Sequence, residues 1–80
     1  RVKVIFVNIS GGPTLGDMIA RGILLAFQEL GFEKKGVPVV VRIRGTNEEE
    51  GRRILEESGL NIWAFDGFDE AAAKCVELAR

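Results

Sequence analysis

Residues Val37–Ile43 read V-P-V-V-V-R-I, an apolar run interrupted only by Arg42. A strand with one wet face alternates apolar and polar residues. A nearly continuous run suits a strand covered by helices on both faces, as in parallel sheets. Pro38 opens the run, where a missing N–H costs least. Two runs of the same character flank it, Val2–Asn8 (V-K-V-I-F-V-N) and Asn61–Phe65 (N-I-W-A-F). The stretches between and after them are patterned as helices, so the order is βαβαβα. Parallel strands joined by helical crossovers, right-handed by strong preference, give an α/β fold with an open parallel sheet.

The first helix is predicted from about Thr14 to Leu30, with Leu15, Met18, Ile19, Ile23, Ala26, Phe27 and Leu30 as its apolar stripe. Asp17 and Arg21 stand at i,i+4 with the acid first, the favourable order. Gly31 is an αL stop, and Glu33–Gly36 a polar turn. The second helix opens on Asn47, which can cap it, with Glu50 at the capping-box distance. Glu48 and Glu49 complement the helix dipole and pair forward with Arg52 and Arg53, and Gly59 ends the helix. The third follows Asp66–Gly67, with Asp66 as its cap or pre-cap. Phe68, Ala71, Ala72, Cys75, Val76 and Ala79 form its apolar face. Cys75 and Trp63 are read as packing residues.

An 80-residue chain is one domain at most. Its hydrophobic fraction of 46% and charged fraction of 29% are those of a globular core, not a disordered tail. The net charge of -1 lacks the basic excess that a nucleic-acid partner normally demands. One cysteine rules out an intrachain disulfide framework. No apolar run approaches the length of a membrane span, and no secretory leader is present. The chain holds no histidine, so it supplies no histidine catalysis or histidine metal site from within. It starts at Arg1 rather than methionine, and three parallel strands are thin for a doubly wound sheet; the expectation is a piece cut from a longer protein.

In an open parallel sheet ligands bind outside the carboxyl ends of the strands. Three glycine-containing loops meet there: Ser10–Thr14, Arg44–Asn47 and Asp66–Gly67. Gly11 and Gly12 allow close backbone approach, and Pro13 suits the first helical position. The N–H groups and dipole of the following helix would attract phosphate or carboxylate. A tight strand-to-helix turn is the plainer reading of the same pair. The spacing of Gly11, Gly12 and Gly16 is not G-x-G-x-x-G, and there is no G-K-[ST]. Arg42 and Arg44 point the same way from their strand, either as anion contacts or as an interface pair. Glu48–Glu50 splay around a helix, so no metal site is expected of them.

Three ordered motifs resemble succinyl-CoA ligase β subunits. V-K-V-I-F-V-N-I-S-G-G (Val2–Gly12) resembles their V-K-x-x-x-V-N-I-F-G-G, and V-P-V-V-V-R-I-R-G-T-N (Val37–Asn47) their V-P-x-V-V-R-L-x-G-T-N. E-E-G-R-R-I-L-E-E-S-G-L-N-I (Glu49–Ile62) is similar to E-x-G-x-x-I-L-x-x-S-G-L-x-I. The resemblance implies that residues 1–80 are the carboxyl-terminal part of a CoA-ligase domain with a flavodoxin-like, partial three-layer sandwich. The nucleotide-binding ATP-grasp domain of such a subunit is absent from this chain.

It further implies an acid–CoA ligase forming ADP or GDP, in which an α subunit supplies a phosphorylated histidine and the intact enzyme uses CoA, ATP or GTP, and Mg. This chain alone would bind no cofactor and be inactive. Its compartment would be prokaryotic cytoplasm or mitochondrial matrix. Carried over by position, Gly11, Gly12, Pro13 and Thr14 contact the carboxylate substrate or the phosphohistidine. Ser10, Gly45, Thr46 and Asn47 are possible secondary contacts, and no residue is catalytic. The family usually continues G-G-I-x-x-C-D, whereas Gly12 here is followed by Pro13-Thr14-Leu15-Gly16-Asp17. Ser10 replaces the usual phenylalanine. Gly16 replaces the usual cysteine, at roughly 0.8–1.0 kcal/mol relative to alanine if it lies inside a helix. These changes leave succinate, malate and other carboxylates open. Two other readings compete: an inactive interaction module that holds a partner through Arg42, Arg44 and its helix faces, and a small-anion or nucleotide-binding α/β domain.

Overall fold

The computed structural model describes residues 2–10 and 15–80. The order is β1 (Ile5–Leu15), α1 (Gly16–Glu29), α2 (Phe32–Lys35), β2 (Val39–Thr46), α3 (Glu48–Glu57), β3 (Ile62–Phe65) and α4 (Phe68–Leu78). The strands form one open sheet in the order β1-β2-β3, and both pairings are parallel. This is the α/β architecture expected, a partial flavodoxin-like sandwich.

Central β2 explains the layers. Val39, Val41 and Ile43 face one side and join Ala20 and Phe27 of α1, Leu55 of α3 and Ile62 of β3 in the main core. Val40 faces the other side and is also fully buried, as is Ala71 of α4. Alternation along the strands puts Phe6 and Trp63 on this second face, where Phe6 meets Phe68 of α4 at a ring-centroid distance of 5.8 Å. So α1 and α3 cover one face, and α4 covers part of the other.

Strand boundaries follow pairing rather than hydropathy. β1 was expected from Val2 but begins at Ile5, because β2 offers its first partner there: Ile5 is opposite Val39, and its N–H donates to the Pro38 carbonyl at 3.0 Å. At the other end β2 runs on to Thr46, beyond the expected Ile43, and the β1–β2 register shifts between Ser10 and Leu15. Residues 33–36 were read as a turn; Phe32–Lys35 instead make one helical turn, bounded by Gly31 (φ 71°) and Gly36 (φ 69°). Phe32 stacks edge-on against Phe27 at 5.8 Å, which anchors that turn to the core. Gly59 has φ 74°, the left-handed stop expected after α3.

The outer helix faces are less buried than their periodicity suggested. Met18 remains 62% exposed and Phe68 49% exposed, because the second face carries a single helix and α1 turns its flank to solvent. Trp63, read as a packing residue, is also exposed on edge strand β3; its ring lies 4.3 Å from the Lys74 ammonium. Among the described residues no helix is long and apolar enough to cross a membrane.

Backbone packs directly on backbone where α1 meets α3. A Cβ on Gly16 would lie 2.6 Å from the Asn47 carbonyl oxygen, and one on Gly51 would lie 2.6 Å from the Gly16 carbonyl oxygen. Two backbones meet here without side chains between them. Gly22, on the exposed side of α1, has nothing within 4 Å of its absent Cβ. The two sites therefore respond oppositely to the same change. Gly51→Ala should lower stability by roughly 1–3 kcal/mol through overpacking. Gly22→Ala should raise it by about 0.5–1 kcal/mol through helix propensity. Urea denaturation of the two variants beside the parent protein measures both; equal shifts of one sign would refute the contact.

Candidate functional site

Because all three strands run in the same direction, their carboxyl ends share one edge with the starts of α1, α3 and α4. The principal candidates for substrate contact, Gly11, Gly12, Pro13 and Thr14, lie outside the described residues. Their boundaries are described. Ser10 is exposed and stands opposite Arg44 in the ladder, and Leu15 is the extended residue that precedes α1.

The first helix starts at Gly16, later than the expected Thr14, so Pro13 is not its first helical residue. The displacement has a cause in the packing. The close approach to α3 occurs at Gly16, where a Cβ would press on the Asn47 carbonyl unless the helices shifted. Asp17 occupies the first turn and forms the expected ion pair with Arg21 at 3.5 Å. Its carboxylate also accepts a hydrogen bond from the Asn47 side-chain amide at 3.3 Å. Desolvation opposes ionisation of Asp17. The Asn47 amide, the backbone N–H groups of Asp17 and Met18, and Arg21 outweigh it and hold the carboxyl below its ordinary value.

The start of α3 differs from the capping box read in the sequence. Asn47 occupies the cap position, but in the left-handed region (φ 59°, ψ 29°) and without a side-chain cap bond. It is the single non-glycine residue with positive φ among the described residues, and asparagine tolerates that conformation better than most. Its amide is committed to Asp17, while its carbonyl accepts the Gly51 N–H at 3.0 Å. The reach-back bond comes from Glu48 rather than Glu50: Glu48 Oε1 accepts the Gly45 N–H at 2.9 Å.

Glu48 is the centre of a small network. Oε1 also accepts from Arg44 Nε at 3.3 Å, and Oε2 from Arg52 Nη1 at 3.1 Å; Arg52 in turn donates to the Ile43 carbonyl at 3.2 Å. The Gly45 N–H leads in lowering the Glu48 carboxyl below its ordinary range, followed by the Arg52 hydrogen bond; desolvation acts against them and Arg44 adds to them. Glu50 pairs with Arg53, which also reaches Glu57 at 2.9 Å. The expected Glu49–Arg53 pair gives way to these. Glu48 and Glu50 thus serve different partners, as consecutive carboxylates on a helix must.

Arg42 ties the exits of all three strands together. From β2 it donates through Nη1 to Asn8 Oδ1 of β1 and through Nε to the Asp66 carbonyl after β3, both at 3.2 Å. Asp66 is the pre-cap residue of α4; Gly67 stands at the cap in extended conformation. Cys75 is half-buried, and desolvation pushes its thiol up, away from nucleophilic use at neutral pH.

Sequence reasoning placed the edge, but Arg44–Thr46, read as loop, continue β2, and it missed the Asp17–Asn47 bond and the Gly16–Gly51 contact. Partners 30 residues apart leave no local pattern. One signal was available: glycine inside a helical pattern lowers propensity, and Gly51 in the first turn of α3 therefore marks a close approach.

The family model described as CoA-ligase matches residues 1–76. The chain is 56% identical over 80 residues to the succinate–CoA ligase [ADP-forming] subunit beta of Pyrobaculum aerophilum, covering 100% of this chain and 20% of that protein. It is 49% identical over 80 residues to the subunit of the same name from Staphylothermus marinus, again 100% and 20%. With that of Halorhodospira halophila it shares 51% identity over 78 residues, 98% of this chain and 19% of the relative. The chain spans about one fifth of the length of the curated relatives it matches.

The lowered carboxyls of Asp17, Glu48 and Glu50 fix a direction for acid sensitivity. Each binds its proton more weakly folded than unfolded, so its stabilising contribution is complete above the unfolded values of 3.8 for Asp and 4.5 for Glu. It is lost as pH falls through the folded values. Carboxyl-carbon NMR titration should place the Glu48 midpoint below 4.5. Arg52→Gln should move it back toward that value, and a Glu48 midpoint at or above 4.5 would contradict the network.

Proposed function

The chain belongs to the CoA-ligase family, and on that premise we propose that it forms the carboxyl-terminal part of the β subunit of an ADP-forming acid–CoA ligase of the succinate type. Its role is to offer a charge-stabilising loop, residues 11–14, to a reactant held by a companion α subunit. The observation that carries this reading is the match to β subunits over the whole chain, with residues 11–14 falling in sequence between the Ser10–Arg44 and Leu15–Thr46 pairs, just ahead of α1.

In the proposed reaction a phosphorylated histidine of the α subunit gives its phosphoryl group to the acid. The N–P bond breaks and a carboxylate oxygen forms the new O–P bond, giving an acyl phosphate. The sulfur of CoA then attacks the acyl carbon; the C–S bond forms, the C–O bond to phosphate breaks, and the thiol proton passes to water. Charge builds on phosphoryl oxygens in the first step and on the leaving phosphate in the second. Backbone N–H groups aimed at those oxygens stabilise both without any titratable side chain. A chain without histidine is suited to that part.

Gly11, Gly12, Pro13 and Thr14 are the proposed contacts, with Pro13 giving up one donor and the Thr14 hydroxyl available as another. Ser10, exposed beside them, is the proposed secondary contact. The Gly45 N–H and the Asn47 amide are already engaged by Glu48 and Asp17, so those groups are not offered to a reactant. The described residues bring no three acidic, cysteine or histidine side chains together as a metal site. They do not fit a magnesium ion; the nucleotide belongs to the preceding part of such a subunit.

A second reading, a module that holds a partner subunit without touching reactants, draws on the exposed Leu15, Met18 and Leu25 along one flank of α1. The two are separated in the full-length β subunit assembled with its α subunit. Gly12→Val or Thr14→Asp should slow phosphohistidine turnover on the order of 10²-fold, the effect of losing an oxyanion donor, while leaving assembly intact. Unchanged turnover in correctly folded enzyme would eliminate the loop's role and leave the module reading standing.

A further inference from the structure

The two edges of the sheet are finished differently. β3, at one edge, is four residues long, and Lys74 of α4 stands over its Trp63 ring at 4.3 Å. Short length and a nearby lysine are ordinary means of blunting an edge. β1, at the other edge, pairs with β2 over Ile5–Ser10, and Ile5–Ile9 carry no charged side chain. The Ile5 N–H donates to the Pro38 carbonyl, so Ile5, Val7 and Ile9 turn their backbone groups toward β2. By alternation Phe6 and Asn8 aim theirs outward, where no strand pairs among the described residues.

An apolar groove runs along the same edge. Ile5 and Val7 of β1, Ile23, Ala26 and Leu30 of α1, and Phe32 of α2 line about 260 Å³ of open space. Every described lining residue is apolar. Leu30 and Ala26 are exposed there. An unpaired strand edge beside an uncovered apolar groove lacks one strand and one helix of a layered α/β unit.

Connection handedness says where these would go. α1 and α3 lie on one face because both crossovers step across the sheet in the same direction. A parallel strand beyond β1 that connects into β1 makes that step too. Its right-handed crossover therefore puts the helix on the face of α1 and α3. The groove lies on that face, since Ile5 and Val7 pack against the main core with Val39.

We infer that the β1 edge is an interior seam of the longer subunit: a preceding strand pairs with it in parallel, and the crossover helix entering β1 fills the groove. The occupant is a segment of the same polypeptide. This chain spans only about one fifth of its relatives' length, and handedness places a connecting helix in this groove and no other chain. The inference rests on the reading of the chain as the carboxyl-terminal part of such a subunit. It needs no role for residues 11–14.

Amide hydrogen exchange resolved to single residues reads the seam without any substitution. The samples are the full-length β subunit alone and the same subunit assembled with its α subunit. In both, Phe6 and Asn8 should exchange on the order of 10²-fold more slowly than exposed amides, as Ile5 and Val7 do. Fast exchange at Phe6 and Asn8 beside slow exchange at Ile5 and Val7 overturns the inference. So does protection that appears only with the α subunit, or only as β-subunit concentration rises, because another chain would then be the occupant.

The helix is read by a pair of variants of the full-length subunit. Ala26→Asp puts a charge in the groove, and Gln28→Asp puts one on the opposite flank of α1. Ala26→Asp should lower the thermal midpoint by several degrees more, since its charge would be buried. Equal shifts mean an open groove and remove the helix. A native polypeptide no longer than this chain removes the carboxyl-terminal reading and this inference together; free Phe6 and Asn8 amides in a full-length subunit remove this inference alone.

Discussion

The burial of β2 on both faces is the constraint from which the other elements take their places. A strand whose side chains point alternately into two apolar layers must be covered twice and flanked twice. Val39, Val41 and Ile43 require α1 and α3 on one side, and Val40 requires α4 on the other. β1 and β3 then pair on its two edges in parallel, and parallel pairing collects every strand exit at one end. The shared edge of strand exits is thus a by-product of how a single hydrophobic strand is buried.

Polar chemistry at that edge is spent on fixing backbone. Arg42 links the three strand exits, Glu48 gathers Gly45, Arg44 and Arg52, and Asn47 reaches Asp17. Each of these bonds is exposed or only part-buried, and single exposed ion pairs stabilise little. Their collective effect lies in geometry: they hold the strand exits and the start of α3 in fixed relation to the start of α1.

Much of this was legible in the sequence. Continuous apolar runs gave the strand type, Gly31 and Gly59 gave two helix ends, and Asp17–Arg21 gave an ion pair that forms. Errors came where a non-local partner outbid a local rule. Asn47 has the composition of a capping box, yet its amide has a better acceptor on α1 and its backbone turns left-handed. Val2–Val4 have strand composition but nothing opposite them, so β1 starts at Ile5. Trp63 and Phe68 look like core residues, but β3 is an edge strand and the second face carries only α4. Periodicity reports which face is apolar; it is silent on whether a neighbour arrives to cover it.

The meeting of Gly16 and Gly51 has a consequence for how this sequence can change. A Cβ on Gly51 would meet the Gly16 carbonyl, and one on Gly16 would meet the Asn47 carbonyl at the start of α3. Replacing one does not make room for replacing the other; a second methyl would push the same two helices further apart. A side chain at either position therefore requires the two helices to shift, whereas open positions such as Gly22 vary without that adjustment. A designer wishing to reshape the rim of the sheet would have to move both helices at once or leave the two glycines alone.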